Sequence, residues 1–305
     1  MTGRTVLLLG GTGFVGTNLA AHLRRNGERV LVSGRNAVTR DGYPALSLPL
    51  GETQALLDLI ATERVDTVVH LASSLIPSSL PDLYFAEVKE IAIPTVRLAR
   101  GLADAGVRLI YLSSGGTVYG PKSDVGIDED SPCEPISTYG QSKYEIELHL
   151  KFLERTRGLR CLIIRPSNPY GPFQSLFGIQ GLISVVFGKL ADNSPLEVWG
   201  DGSSVRDYIY IEDVVEILGA LIARDISGLT LNLGSGTGIS LVNVIKTFQT
   251  VVGRHPVLVH KPARSVDVPR LVLDVGRMHA LGLQQARSLA EGIRAYGRWL
   301  GVLDD

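Results

Sequence analysis

The stretch Val6-Leu7-Leu8-Leu9-Gly10-Gly11-Thr12-Gly13-Phe14-Val15-Gly16 decides how the rest of the chain reads. An apolar run ends in a glycine-rich turn, and an amphipathic helix pattern follows from about Phe14 to Asn26, with Gly27 as its stop. Gly10, Gly13 and Gly16 carry the spacing G-x-x-G-x-x-G, a variant of the dinucleotide fingerprint. Gly10 permits the tight turn, Gly13 leaves the backbone open to a pyrophosphate, and Gly16 lets the helix lie close to the strand. The helix then aims its first N–H groups and the positive end of its dipole at that phosphate. A glycine triplet by itself also serves packing. The strand before it and the helix after it make dinucleotide binding the expectation.

Strand and helix patterns keep alternating beyond this turn. Arg29–Ser33, Leu46–Leu50, Thr67–Leu71, Arg108–Leu112 and Cys161–Ile164 read as strands. Thr53–Thr62, Leu83–Ala105 and Thr138–Arg157 read as helices, the second kinked at Pro94. Strands that are apolar at both alternating positions belong in a sheet covered on both faces. The order therefore predicts an α/β fold with a doubly wound parallel sheet. After Arg165 the composition changes: Pro166, Pro169 and Pro172 crowd one loop and the elements shorten. Short strands are expected near Leu196–Trp199, Thr230–Asn232 and Val257–His260, with helices at Glu212–Arg224 and Leu241–Val252. The expected division is a dinucleotide-binding domain over 1–165 and, mainly over 166–305, a smaller C-terminal lobe for substrate at the sheet's carboxyl edge. Some segments of that second part should return to the first domain.

Composition narrows the class. The 305 residues include 30 Lys and Arg against 31 Asp and Glu, a net charge of −1, which removes any general electrostatic case for nucleic acid or an anionic membrane. Apolar residues make up 45%, enough for a sizeable core. The two cysteines, Cys133 and Cys161, form no C-x-x-C motif, and the six histidines show no ligand spacing, so no metal is expected. His70 and Cys161 read as core strand residues, and Asp128, Glu129 and Asp130 as a solvated acidic turn. The first apolar run is too short to span a membrane and follows no signal-peptide pattern, giving a cytoplasmic expectation.

Tyr139-Gly140-Gln141-Ser142-Lys143 is Y-x-x-x-K at the start of the helix expected over Thr138–Arg157. A spacing of four puts both side chains on one face, about 40° apart around the axis. An ammonium beside a phenol favours the phenolate and lowers its pKa. Tyr139 is therefore the candidate acid/base for a proton on a sugar or alcohol oxygen, with Lys143 as its partner. A surface helix with a tyrosine and a lysine shows the same spacing; the dinucleotide turn upstream is what favours chemistry.

Together these residues resemble the extended short-chain dehydrogenase/reductase family, in its nucleotide-sugar branch, from Gly10 to about Pro269. Further support comes from Ser113-Ser114-Gly115-Gly116-Thr117-Val118-Tyr119-Gly120, Arg165-Pro166-Ser167-Asn168-Pro169-Tyr170-Gly171-Pro172 and Gly200-Asp201-Gly202-Ser203-Ser204-Val205-Arg206-Asp207-Tyr208. The resemblance implies a Rossmann fold with NADP or NAD held by Gly10, Thr12, Gly13, Phe14, Val15, Gly16, Arg35, Leu71, Ala72, Ser73 and Pro166, together with Tyr139 and Lys143. It also implies a nucleotide-diphosphate sugar contacted by Asn168, Arg206 and Arg264, and a homodimer through the helices at Leu83–Ala105 and Thr138–Arg157. Guanidinium forks suit a diphosphate.

Three departures from the family pattern shape the functional expectation. Val32-Ser33-Gly34-Arg35-Asn36 has glycine where NAD-binding relatives usually carry an acid for the ribose 2′-hydroxyl. A guanidinium beside it favours a 2′-phosphate, so NADP is preferred over NAD. The usual serine or threonine aligns with Gly115, which leaves Ser114 or Thr117 to supply that hydroxyl. The family's helix asparagine aligns near Ile91, and Leu83–Thr95 contains no asparagine. The leading expectation is an NADPH-dependent 4-ketoreductase of a dTDP- or UDP-linked deoxyhexose. A UDP-glucose/galactose-type 4-epimerase is the alternative, and a non-catalytic NAD(P) or sugar-nucleotide binding protein the second. A 4,6-dehydratase is disfavoured, because Gly116-Thr117 stands where such enzymes carry an Asp-Glu pair.

Overall fold

The computed structural model describes residues 3–122, 126–262, 268–284 and 287–304. In chain order its elements begin β1 (Thr5–Leu9), α1 (Phe14–Arg25), β2 (Arg29–Gly34), β3 (Leu46–Ser47), α2 (Thr53–Thr62) and β4 (Thr67–His70). A 3₁₀ turn (Pro81–Leu83), α3 (Tyr84–Glu87), a π turn (Val88–Ala92) and α4 (Ile93–Ala105) follow. Next come β5 (Arg108–Leu112), α5 (Thr138–Arg157), β6 (Cys161–Pro166), β7 (Asn168–Tyr170), α6 (Leu182–Ala191), β8 (Leu196–Trp199) and β9 (Val205–Tyr210). The chain finishes with α7 (Ile211–Ala223), β10 (Leu229–Leu233), β11 (Gly238–Ser240), α8 (Leu241–Val252), β12 (Leu258–Lys261), β13 (Arg270–Leu271), α9 (Gly276–Ala280) and α10 (Leu289–Trp299).

One compact unit comprises 1–120, 132–165 and 215–231. Its seven-stranded sheet has the order β10-β6-β5-β4-β1-β2-β3, and the pairs from β3 through β6 are parallel. This is the doubly wound sheet the sequence predicts. β1 and β4, both buried along their full length, sit where the strand order reverses, the place such sheets bind ligands at their carboxyl ends. One core lies between the sheet and α2, α4 and α5, with Leu7, Leu56, Val68, Leu98, Leu109 and Leu150 at its centre. Arg108, fully buried at the start of β5, donates to the Leu221 and Ile222 carbonyls at the end of α7 and to Thr67 Oγ1. It thus satisfies carbonyls that the last turn of a helix leaves open.

Three expectations shift here. Leu46–Leu50 pairs only at Leu46 and Ser47, and its remaining residues wrap toward the ligand edge instead of extending the sheet. The irregularity expected at Pro94 lies one turn earlier, because a proline deprives the preceding turn of an N–H and is itself tolerated in the first turn of α4. Leu229–Leu233, which the composition change groups with the second lobe, is the edge strand of the central sheet.

The second unit comprises 121–131, 166–214 and 232–305. β9 organises it, pairing in parallel with β7 and β13 and antiparallel with β11, while β8 and β12 form a separate parallel pair. Phe187, Phe248 and Tyr296 stack edge to face, with ring centroids 4.8 and 5.0 Å apart, and join α6, α8 and α10. The middle carboxylate of the acidic turn is not solvated: Glu129 is 7% exposed and accepts the Asn232 N–H at 2.8 Å. Among the described residues no helix is long and apolar enough to cross a membrane.

Candidate active site

The glycine turn builds one wall of a cleft of about 480 Å³ at the carboxyl ends of β1, β2 and β4. Gly10 has φ +74°, and a Cβ there would lie 2.7 Å from the Ala72 nitrogen. At Gly16 a Cβ would fall 2.4 Å from the Gly11 Cα, so the helix start is pressed onto the turn itself. Gly13 differs: a Cβ would meet nothing closer than the Gly10 carbonyl at 3.4 Å, so no protein atom demands glycine there. Gly13 is also the N-cap of α1, with no side chain capping the first N–H groups. An open backbone at an uncapped helix start fits a phosphate.

Gly10, Thr12, Gly13, Arg35, Leu71, Ala72 and Ser73 meet in this cleft. Its lining does not include Phe14, Val15 and Gly16, which open α1, nor Tyr139 and Lys143, nor Pro166 at the end of β6. Leu48–Gly51 and Lys89–Ile91 join the lining from segments the sequence did not point to. Arg35 is exposed on the rim. Beside it Gly34 is closely covered, since a Cβ would stand 2.7 Å from Thr12 Oγ1 and 3.1 Å from Thr12 Cγ2. The side chain of the glycine turn therefore occupies the room an acid at the end of β2 would need.

Glu87, on α3 and only 1% exposed, faces the same wall. Its carboxylate accepts the Ser74 N–H at 3.0 Å and the hydroxyls of Ser74 and Ser73, the latter at 3.4 Å. A buried carboxylate in a helix of charged and apolar residues has no spacing signature, so only the fold reveals it.

Tyr139 and Lys143 project from the first turns of α5, which Ser137 caps by accepting the Gly140 N–H at 3.1 Å. Lys143 is 3% exposed and donates to the Leu112 carbonyl at the end of β5 at 3.0 Å. Its Nζ lies 5.7 Å from the centroid of the half-buried Tyr139 ring. The Ser114 hydroxyl stands near enough to the Tyr139 phenol to favour its ionised form. Thr117 instead packs against the start of α5, with its carbonyl 2.7 Å from where a Gly140 Cβ would be and its buried hydroxyl without a partner.

The protonation states differ from the simple pairing argument. Burial pushes the Tyr139 phenol up to about 12; the Ser114 hydroxyl opposes this and the Glu87 charge adds to it. Burial pulls Lys143 down to about 8, against the carboxylates of Glu87 and Glu147. Desolvation thus outweighs the expected phenolate stabilisation. Near neutral pH the pair is a protonated phenol beside an ammonium, which is the state of a proton donor.

Glu147 lies one turn past Lys143 on the same helix face and is fully buried with Arg165. Arg165 grips it bidentately, Nε to Oε1 at 3.0 Å and Nη2 to Oε2 at 2.6 Å, and donates from Nη1 to the Tyr119 hydroxyl at 2.9 Å. Burial works against the Arg165 charge, but Glu147 more than offsets it and the guanidinium pKa rises. This ion pair ties α5 and the Ser113–Gly120 loop to β6. The spacing 139, 143, 147 was its one sequence signal.

In the second unit Asn168 and Arg206 share the sheet around β9. Asn168 lies opposite Tyr208 and donates to the Asp207 carbonyl at 2.7 Å. Half-buried Arg206 donates to the Val205 carbonyl at 2.9 Å. Asp207, fully buried next to Arg206 in β9, accepts Ser235 N–H and Oγ–H at 2.8 and 2.7 Å. Arg264 lies outside the described residues. Cys161 is buried in β6, where burial raises its thiol pKa.

A glycine turn feeding an uncapped helix, at the switch point of a parallel sheet that also carries a Tyr–Lys–Ser cluster, is matched by the model of the NAD-dependent epimerase/dehydratase family over residues 6–234. The chain belongs to that family. It is thereby an NAD(P)-dependent enzyme of the type its sequence resembles. It is 30% identical over 301 residues to a dTDP-4-dehydro-6-deoxyglucose reductase of Escherichia coli, covering 94% of this chain and 95% of the relative. It is 31% identical over 300 residues to a UDP-glucose 4-epimerase of Mycolicibacterium smegmatis, with the same coverages, 94% and 95%. The crystal structure of a Thermotoga maritima UDP-glucose 4-epimerase with UDP-glucose superposes with a TM-score of 0.89 at 27% identity, covering 98% of this chain and 99% of that one.

Proposed function

We propose that this family member is an NADPH-dependent 4-ketoreductase of a dTDP- or UDP-linked deoxyhexose. The observation that carries the reading is the packing of Thr12 against Gly34 beside Arg35 on the cleft rim. Without room for a carboxylate at that position, the 2′-hydroxyl of NAD loses its usual acceptor, while a 2′-phosphate gains a guanidinium. A cofactor oxidised once per turnover fits NADPH. The similarity to a dTDP-4-dehydro-6-deoxyglucose reductase supports the same substrate class.

Bound NADPH supplies the hydride to C4. The chain's own part is proton delivery and binding. Tyr139 gives its phenolic proton to the C4 oxygen, and Ser114 aims that phenol. Lys143, held by the Leu112 carbonyl, lends a positive charge that stabilises the phenolate left behind. Thr117 is the second hydroxyl candidate. Asn168, Arg206 and Arg264 contact the nucleotide diphosphate, and Gly10, Thr12, Gly13, Phe14, Val15, Gly16, Arg35, Leu71, Ala72, Ser73 and Pro166 contact the dinucleotide.

A UDP-glucose-type 4-epimerase is the second reading, favoured by the similarity to the Mycolicibacterium and Thermotoga epimerases. It would use Tyr139 reversibly as base and then acid, with a retained NAD. The deciding experiment purifies the protein and identifies what it carries. Tightly retained NAD overturns the reductase reading, whereas an empty protein that binds NADPH far better than NADH supports it. The same reading includes a homodimer through α4 and α5, whose outer faces leave Phe152 about half exposed beside Val96 and Arg100. Sedimentation equilibrium tests it.

A further inference from the structure

The segment between Pro81 and Ala105 does not run as one helix. At Val88–Ala92 it opens into a π turn, in which the Ile93 N–H reaches back five residues to the Val88 carbonyl. Pro94 follows and has no N–H to offer the Glu90 carbonyl four residues before it. Lys89, Glu90 and Ile91 of this turn line the cofactor cleft. A π turn has poorer hydrogen bonding than an α-helical one and is frequent where a helix serves a site.

Two buried side chains hold this one. Thr95, 1% exposed, donates from Oγ1 to the Ile91 carbonyl at 2.7 Å. That bond uses the only proton on the hydroxyl. The contact from His70 Nε2 to the same oxygen, at 2.8 Å, then requires the imidazole to be the donor. His70 is therefore the Nε2–H tautomer, with a bare Nδ1 that has no partner. It is fully buried at the end of β4, edge-on to Tyr111 with ring centroids 5.4 Å apart. Burial, and next the Lys143 charge, push its pKa down to about 3, so the ring stays neutral at ordinary pH.

We propose that His70 and Thr95 form a buried lock on the Ile91 carbonyl that fixes the position of the π turn and so sets cofactor affinity, in the segment that lacks the family's asparagine. The proposal rests on the cleft being the seat of the dinucleotide. Neither residue lines the cleft, so both are positioning residues. Without the Thr95 hydroxyl, the Ile91 carbonyl loses its side-chain donor and the His70 N–H its acceptor, both in a dry interior. Pro94 still bars an α-helical turn, but the π turn has lost its side-chain anchor, and Lys89–Ile91 are no longer held in place in the cleft wall.

The test uses the full chain and NADPH or NADH as probes, followed by fluorescence titration. Thr95→Val keeps the shape and removes the hydroxyl; it is expected to weaken dinucleotide binding about tenfold. Thr95→Ser restores the hydroxyl and is expected to bind as the natural protein does. Independently, ¹⁵N NMR of the histidine rings in the unmodified protein should show His70 as the neutral Nε2–H form throughout about pH 5 to 8. Unchanged binding by T95V, failure of T95S to rescue it, an Nδ1–H tautomer, or titration of His70 in that range each overturns the lock. Should T95V not fold, T95S and the NMR signature still decide. A different sugar substrate leaves these readouts untouched, whereas an unmodified protein that binds neither dinucleotide overturns the cofactor reading together with the lock.

Discussion

Replacing Gly34 by Asp asks whether cofactor choice is built into the packing of the glycine turn. Gly34 is not in the left-handed region, so its backbone accepts an L side chain. The obstacle is Thr12, whose Oγ1 and Cγ2 would stand 2.7 and 3.1 Å from the new Cβ. Rotating the branched side chain still leaves at least one of its two heavy γ atoms against the new Cβ. Overpacking of this kind costs about 1–3 kcal/mol, so Gly34→Asp alone should lower the melting temperature and bind both dinucleotides poorly. The Thr12 Cβ itself lies at an ordinary 3.5 Å, so Thr12→Ala removes the conflict. The double variant should recover stability and exchange a 2′-phosphate site for a 2′-hydroxyl acceptor. Loss of a charge-assisted bond to phosphate costs about 1.5–3 kcal/mol, so the NADPH-over-NADH affinity ratio should fall at least tenfold. Fluorescence titrations with both cofactors, run beside thermal melts, measure all three quantities. A stable Gly34→Asp protein that binds NADH well would refute the packing argument. An unchanged NADPH preference in Arg35→Ala would remove the guanidinium from it.

Other consequences are as direct. Tyr139→Phe should reduce turnover of a 4-keto nucleotide sugar at least a hundredfold with NADPH binding retained; undiminished turnover refutes the proton-donor assignment. Because Lys143 has its pKa lowered to about 8 while Tyr139 stays protonated to about 12, kcat should fall on the alkaline side near pH 8, and a profile flat to pH 10 contradicts the Lys143 role. His70 is depressed from 6.5 to about 3, so the unfolded chain binds a proton that the folded one refuses, and stability present above pH 6.5 is lost as pH falls toward 3. Denaturant unfolding at stepped pH should show this as a slope of about 1.4 kcal/mol per unit that disappears in His70→Gln. Glu147→Gln leaves Arg165 buried without its counter-charge and should cost about 3–5 kcal/mol of unfolding free energy, more than replacing both residues by methionine.

Much of the architecture was legible because it follows from local pattern. Thr53–Thr62, Arg108–Leu112, Thr138–Arg157, Leu196–Trp199 and Leu241–Val252 stand where periodicity and caps place them. Hydrophobic alternation is a property of a few neighbouring residues, and a glycine turn between a strand and a helix carries its meaning in a dozen. The spacing of Tyr139 and Lys143 is equally local. β9 was harder to read, since its register depends on partners far along the chain: it pairs with segments near residues 168, 239 and 271.

By itself, then, the sequence determined a parallel doubly wound sheet, a dinucleotide turn and a tyrosine–lysine pair on one helix face. Only the tertiary structure decided the electrostatic state of that pair, because burial and Glu87, 52 residues from Tyr139 in sequence, raise the phenol that a neighbouring ammonium would have lowered. Tertiary structure likewise brought Ser114 near the Tyr139 phenol, closed the space beside Gly34 with Thr12, and set Thr95, joined to His70, against the Ile91 carbonyl. The pairs Ser114 with Tyr139, Thr12 with Gly34 and His70 with Thr95 have separations along the chain that carry no periodic signal, and desolvation at each exists only once the chain is packed.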